Sequence, residues 1–176
     1  MKMRHTLTVA LLVTVVILTG CGQQNNSSHQ HKAVPKQTQP QSVTFTKQTL
    51  KTTQGTIKLG TPRLVASALP NRQQFLIPYT FHNTSKKQLV PDDTWTKYIS
   101  ATQAGQSLTT GSLSITGGNS DTDNDAINDS VSPVDAGQTK TVGAMYKVNP
   151  TAGPVTLIVK AHQKIIGKLP LPLPAN

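Results

Sequence analysis

The chain has 176 residues, with 17 lysines and arginines against 7 aspartates and no glutamate, for a formal net charge of +10. A single cysteine excludes an internal disulfide, and the length allows one domain plus a tail rather than several domains. Only Arg4, Arg63 and Arg72 are arginines, so the positive charge is carried by lysines, which act as diffuse point charges more than as forked readers of phosphate.

Met1 to His5 is short and basic, Leu7 to Leu18 is an apolar run of twelve residues interrupted only by threonines, and Thr19-Gly20 is small. Charged start, apolar middle and small residues at the cut are the layout of a signal peptide. A membrane-crossing helix needs about 20 apolar residues, so a permanent span is the weaker reading. Leu18-Thr19-Gly20-Cys21 resembles the lipobox of bacterial lipoproteins at all four positions. The resemblance implies that the Cys21 thiol receives a diacylglyceryl group and that a peptidase removes residues 1–20. One acyl chain holds a membrane only marginally, whereas two hold it stably. The alternative is an unmodified thiol left after an ordinary signal peptide.

Residues 21–42 are rich in Gln, Asn and Ser with two prolines, and they hold no apolar residue larger than Val34. Such a stretch cannot bury enough surface to offset its ordering entropy, so a flexible tether of about 25 Å is expected. His29 and His31 lie within it, too few ligands for a metal site.

Residues 43–176 form the expected domain. Thr and Val are abundant, apolar residues alternate, and Gly, Pro, Asn and Asp recur every eight to twelve residues, which predicts an all-β sandwich or barrel. Val43 to Thr46 opens a strand that can run to Leu50; Thr56 to Leu59 follows, with Arg63-Leu64-Val65 as a continuation beyond Pro62. Gln74 to Phe81 is the clearest core strand, with Phe75, Ile77, Tyr79 and Phe81 on one face. Pro78 within it cannot donate a ladder hydrogen bond and implies an edge or a bulge. Thr94 to Ala101 reads as the next strand and Gln103 to Gln106 as a turn; Ser107 to Ile115 returns, and Gly117 to Asp129 is a polar loop. Gln138 to Val148 and Val155 to Ala161 are strands, His162-Gln163 is a tight turn, and Ile165 to Leu169 is the last strand.

Three pieces carry a further resemblance: the strand end Tyr79-Thr80-Phe81-His82-Asn83-Thr84-Ser85, the hairpin Ala104-Gly105-Gln106-Ser107-Leu108, and the turn Val134-Asp135-Ala136-Gly137-Gln138-Thr139. Together they resemble the immunoglobulin-like lipoprotein domains of uncharacterised Gram-positive families, with Ala136 where those domains carry proline. The resemblance covers roughly residues 45–165 and implies an immunoglobulin-like β-sandwich of about seven to nine antiparallel strands. It transfers no catalytic residue, since a fold does not define an activity.

Five of the seven aspartates lie between Asp121 and Asp135. Asp121, Asp123 and Asp125 have the i, i+2, i+4 spacing that opens a calcium loop, with Asn128 or Asp129 available to complete it. Ala126 stands where an EF-hand needs glycine and Ser132 where it needs glutamate, so a solvated acidic loop is the competing reading. Trp95 is read as a core residue rather than a sugar-stacking one. His82 and His162 each flank a turn, without a nucleophile elbow or a zinc-helix motif.

The function expected is therefore non-enzymatic. A lipid-anchored module on the outer face of the Gram-positive cytoplasmic membrane would bind an envelope protein or an anionic wall polymer. The export signal and the lack of a nucleic-acid motif argue against nucleic acid. The alternatives are a calcium-binding version of the module and a hydrolase acting on wall material.

Overall fold

The computed structural model describes residues 42–67, 73–112 and 120–174. The expected leader, Cys21, and the expected tether with His29 and His31 lie outside the described residues. The described chain runs β1 (Thr44–Thr46), β2 (Thr49–Lys51), β3 (Gly55–Leu59), β4 (Arg63–Ala66), β5 (Gln73–Asn83), α1 (Pro91–Tyr98), β6 (Ile99–Gln103), β7 (Gln106–Ser107), α2 (Asp121–Ser130), β8 (Thr139–Val148), β9 (Val155–Ala161) and β10 (Lys164–Leu171).

The strands form two antiparallel sheets, one ordered β1-β2-β3-β5-β8 with β4, the other β10-β9-β6-β7. Both turn their apolar face to one core, in which Leu50, Ile57, Phe75, Ile77 and Phe81 of the first sheet meet Val155, Leu157 and Val159 of the second, all fully buried. This is the β-sandwich that the alternation predicts, with ten strands and two short helices among the described residues. β5, β8, β9 and β10 fall where expected. The inward sets Phe75-Ile77-Tyr79-Phe81 and Val155-Leu157-Val159-Ala161 are buried at every position.

β5 is central. β8 pairs with its whole length from Gln73 to His82, while β3 and β4 share its other edge. Between those two strands Gly60, Thr61 and Pro62 face only Ile77 and Pro78, so the chain carries one extra residue there. The Pro78 carbonyl accepts from Gly60 N–H at 2.8 Å, so the missing N–H of Pro78 faces this irregular stretch rather than the β8 ladder. A proline is thus accommodated mid-sheet at a bulge.

Three strand expectations are corrected. The return expected from Ser107 to Ile115 is a strand only at Gln106–Ser107 among the described residues, and Thr110 bridges instead to Tyr146 of the first sheet. The strand from Val43 to Leu50 is instead a hairpin, because Lys47 and Gln48 adopt φ of 47° and 59° and reverse the chain. Ala104-Gly105 and His162-Gln163 make the same kind of two-residue reversal, with positive φ at both positions, whose twist matches the flanking strands. The largest correction is at Thr94 to Ala101. Pro91 to Tyr98 is a helix, and the strand begins only at Ile99. Pro91 occupies the first helical turn, where its missing N–H costs nothing, and Asp92 and Asp93 favour the positive end of the helix dipole. Its buried residues, Pro91, Thr94, Trp95 and Tyr98, follow helical spacing.

Trp95 packs in the core from that helix, as a core tryptophan should. Its ring stacks on Tyr79 at a centroid distance of 4.6 Å, and its indole N–H donates to the Tyr146 hydroxyl at 2.8 Å. Replacing Trp95 by Ala should destabilise the domain by about 3–5 kcal/mol through the cavity it leaves. A urea midpoint unchanged from wild type would show that α1 does not anchor the two sheets.

Candidate functional site

Three places concentrate polar chemistry. The first is a small cavity of about 130 Å3 between α1, α2 and β8, lined among others by Asp92, Trp95, Ser130 and Tyr146. Burial is the main cause raising the Asp92 carboxyl above its ordinary range, and the Asp93 charge beside it adds to the effect. Burial likewise raises Tyr146; the Trp95 hydrogen bond opposes that shift and the Asp92 charge reinforces it. Tyr79 is pushed well above the ordinary phenol value by burial, with Asp92 and Tyr146 contributing. All three groups are thus held toward their neutral forms in an apolar surround.

The second is the acidic segment. The expected polar loop is a correction: Asp121 to Ser130 is a helix, started by Ser120, whose side chain accepts from the Asp123 N–H. The helix lies on the outer face of β8, where Ala126 and Ile127 meet Leu76 over Gly143. Asp123 is buried and ion-paired with Arg63, and Asp129 accepts from Lys140 at 2.7 Å. Asp121 and Asp125 are exposed. The four calcium candidates are therefore strung along one helix, two of them engaged by cations. Among the described residues no group of three or more His, Cys, Asp or Glu side chains could hold a metal ion.

The third comprises two open clefts. The larger, about 670 Å3, is lined with amides, including Gln74, Gln103, Gln106 and Asn149, together with Lys147. Its two buried amides are occupied in holding backbone. Gln103 donates to the carbonyls of Asn149 and Gly153, both at 2.8 Å, and accepts from Asn149 N–H at 3.0 Å. Gln74 pairs with both backbone groups of Ser112. The smaller cleft, a groove of about 590 Å3, lies where four segments meet: the residue before β1 (Val43), the β2–β3 turn (Thr53), the end of α1 (Lys97, Tyr98) and the end of β9 with its following turn (Lys160, His162). Lys97 Nζ sits 5.2 Å from the centre of the Tyr98 ring, and no carboxylate is in the described lining. This groove can hold an anion between two lysines.

His82 and His162 lie on different sheets; the His82 Nδ1 is 2.9 Å from the Thr139 hydroxyl. Lys97, Lys160 and Val43 had no common sequence signal, because their juxtaposition depends on how the helix and three turns meet.

Fold and clefts together define a disulfide-free β-sandwich module. The chain belongs to the family described as Domain of unknown function (DUF5067), whose model matches residues 30–161. Among solved structures it is similar to a putative lipoprotein from Staphylococcus aureus, with a TM-score of 0.62 and 15% identity over 73% of this chain and 90% of that one. It is also similar to a protein from Enterococcus faecalis, with a TM-score of 0.59 and 14% identity over 75% and 94% of the two chains. At such identities the likeness is one of fold. No curated protein matches the sequence.

Because the folded state holds Tyr79 and Tyr146 neutral beyond the ordinary phenol value of 10.0, the unfolded chain releases those protons first as pH rises. Stability should therefore fall as pH climbs past that value. In a Tyr98→Phe background, phenolate absorbance should appear only together with loss of the folded circular-dichroism signal; phenolate in an intact fold would contradict the burial argument.

Proposed function

We propose that the chain is a lipid-anchored, non-enzymatic binding module of the cell envelope. A diacylglyceryl group on Cys21 holds it at the outer face of the cytoplasmic membrane, and the groove at Lys97, Lys160 and His162 takes an anionic group of an envelope partner. The observation that carries this reading is the groove: Lys97 of α1 and Lys160 of β9 line one concavity with no carboxylate in the described lining. Opposite charge steers and holds an anion there. The resemblance of Leu18 to Cys21 to a lipobox supports the anchor, and the shared fold of a putative staphylococcal lipoprotein supports the location. The non-enzymatic part is supported by the larger cleft, whose buried amides are spent on holding loops.

The anchor predicts that mass spectrometry of the mature protein finds a diacylated Cys21 as its first residue. Cys21→Ser should move the protein from the membrane fraction to the soluble one, and an unacylated mature chain would remove the anchor. For the groove, the full chain in neutral detergent should sediment with purified cell walls. Lys97→Gln combined with Lys160→Gln should weaken that by about tenfold, equivalent to about 1.4 kcal/mol. Equal sedimentation of wild type and variant would rule the groove out as the contact.

A further inference from the structure

The outer face of the first sheet is divided in two. Over Leu76 and Gly143 it is covered by α2, and over Met145 by the segment at Gly111. The other half is open, and its outward residues align across five strands into two continuous rows. One runs Thr44, Lys51, Thr56, His82, Thr139; the next runs Thr46, Thr49, Lys58, Thr80, Thr141. Between them the inward row Phe45, Leu50, Ile57, Phe81 is sunk in the core. Every residue of the two outward rows is exposed or half-buried. Seven of the ten are threonine, and the others are two lysines and a histidine. Lys47, in the β1–β2 turn, adds a further positive charge at the rim.

We propose that this open half-face is a docking surface for an extended polymer of polyol phosphodiesters. The proposal rests on the reading of the chain as an envelope module and adds a second contact to it. Charge complementarity selects the occupant: lysines stand in both rows and no carboxylate stands in either. At about 4.8 Å between strands and about 6.7 Å between alternate residues, the rows form a lattice about 19 Å long. A threonine hydroxyl both donates and accepts, so the lattice can meet phosphate oxygens and the hydroxyls between them. The rows hold no apolar side chain to insert into a bilayer, so a lipid surface is a poorer fit. Their one aromatic ring is the half-buried His82, a single stacking position where single-stranded nucleic acid uses several in succession, so that polymer is a poorer fit. The opposite outer face is less suited, because Ile158 and Pro170 interrupt its cross-strand rows.

The test measures binding of the full chain, in neutral detergent, to immobilised poly(glycerol phosphate) across a range of salt. Lys51→Gln with Lys58→Gln should weaken binding by about tenfold and reduce the slope of log affinity against log salt by about one to two. Thr49→Val with Thr80→Val should weaken binding several-fold and leave that slope unchanged, which loss of charge alone could not do. Unchanged affinity in both face variants would overturn the proposal. Wild-type protein that sediments with cell walls but ignores the polymer would remove this surface and leave the groove standing. Protein that binds the polymer through the face, while the groove variant sediments normally, would remove the groove and leave this surface.

Discussion

The contact on which the two sheets depend is the clasp of Trp95 by Tyr79 and Tyr146. Both tyrosines belong to the first sheet, on the adjacent strands β5 and β8, while the tryptophan comes from the helix that leads directly into β6 of the second. One flat face stacks and one N–H is satisfied, so a large ring is buried without stranding its polar atom. The crossing from sheet to sheet is thereby fixed at a single residue. Ile99, at the first position of β6, then enters the core at once.

Buried side-chain amides fix the loops around that crossing. Asn83 is fully buried at the end of β5. It donates to the carbonyls of Lys87 and Val134 at 2.7 and 2.8 Å and accepts from both the N–H and the hydroxyl of Ser85. One side chain thus closes the turn after β5 and ties it to the segment before β8, where Leu89 and Val134 bridge. Gln74 and Gln103 do the same for the segments at Ser112 and Asn149. In a chain without disulfides, these hydrogen-bonded amides take over the fixing of loops.

Strands whose two faces differ were legible in the sequence. β5 and β9 carry an inward apolar residue at every second position, with Leu76 and Ile158 as apolar exceptions on the outer faces, and β8 shows its inward set even though its outer face is partly covered by α2. The helices were not. Thr94-Trp95-Thr96-Lys97-Tyr98-Ile99 consists almost entirely of strand-favouring residues, so tertiary packing overrode propensity. The counter-signal was Pro91 followed by two aspartates. In α2 the core-facing residues are Asp123, Ala126 and Ser130, too small and polar to register as an apolar stripe. Ser120 as its cap was the available clue. The acidic spacing that suggests a calcium loop becomes, on a helix, a set of carboxylates fanned around an axis. The cationic groove left no local trace, since its residues range from Val43 to His162 and meet only through the fold.

Gly167 on β10 leaves a notch that Phe45 of β1 fills; any side chain there would collide with the ring. β1 itself is three residues long, paired only with β2, and it is the first strand after the stretch expected to tether the domain. Tension arriving along the backbone from that side would peel a short hairpin strand and withdraw one aromatic ring before it loaded the long central strands. The hairpin would then act as a mechanical fuse, yielding under pull and reseating when slack returns while the sandwich behind it stays closed.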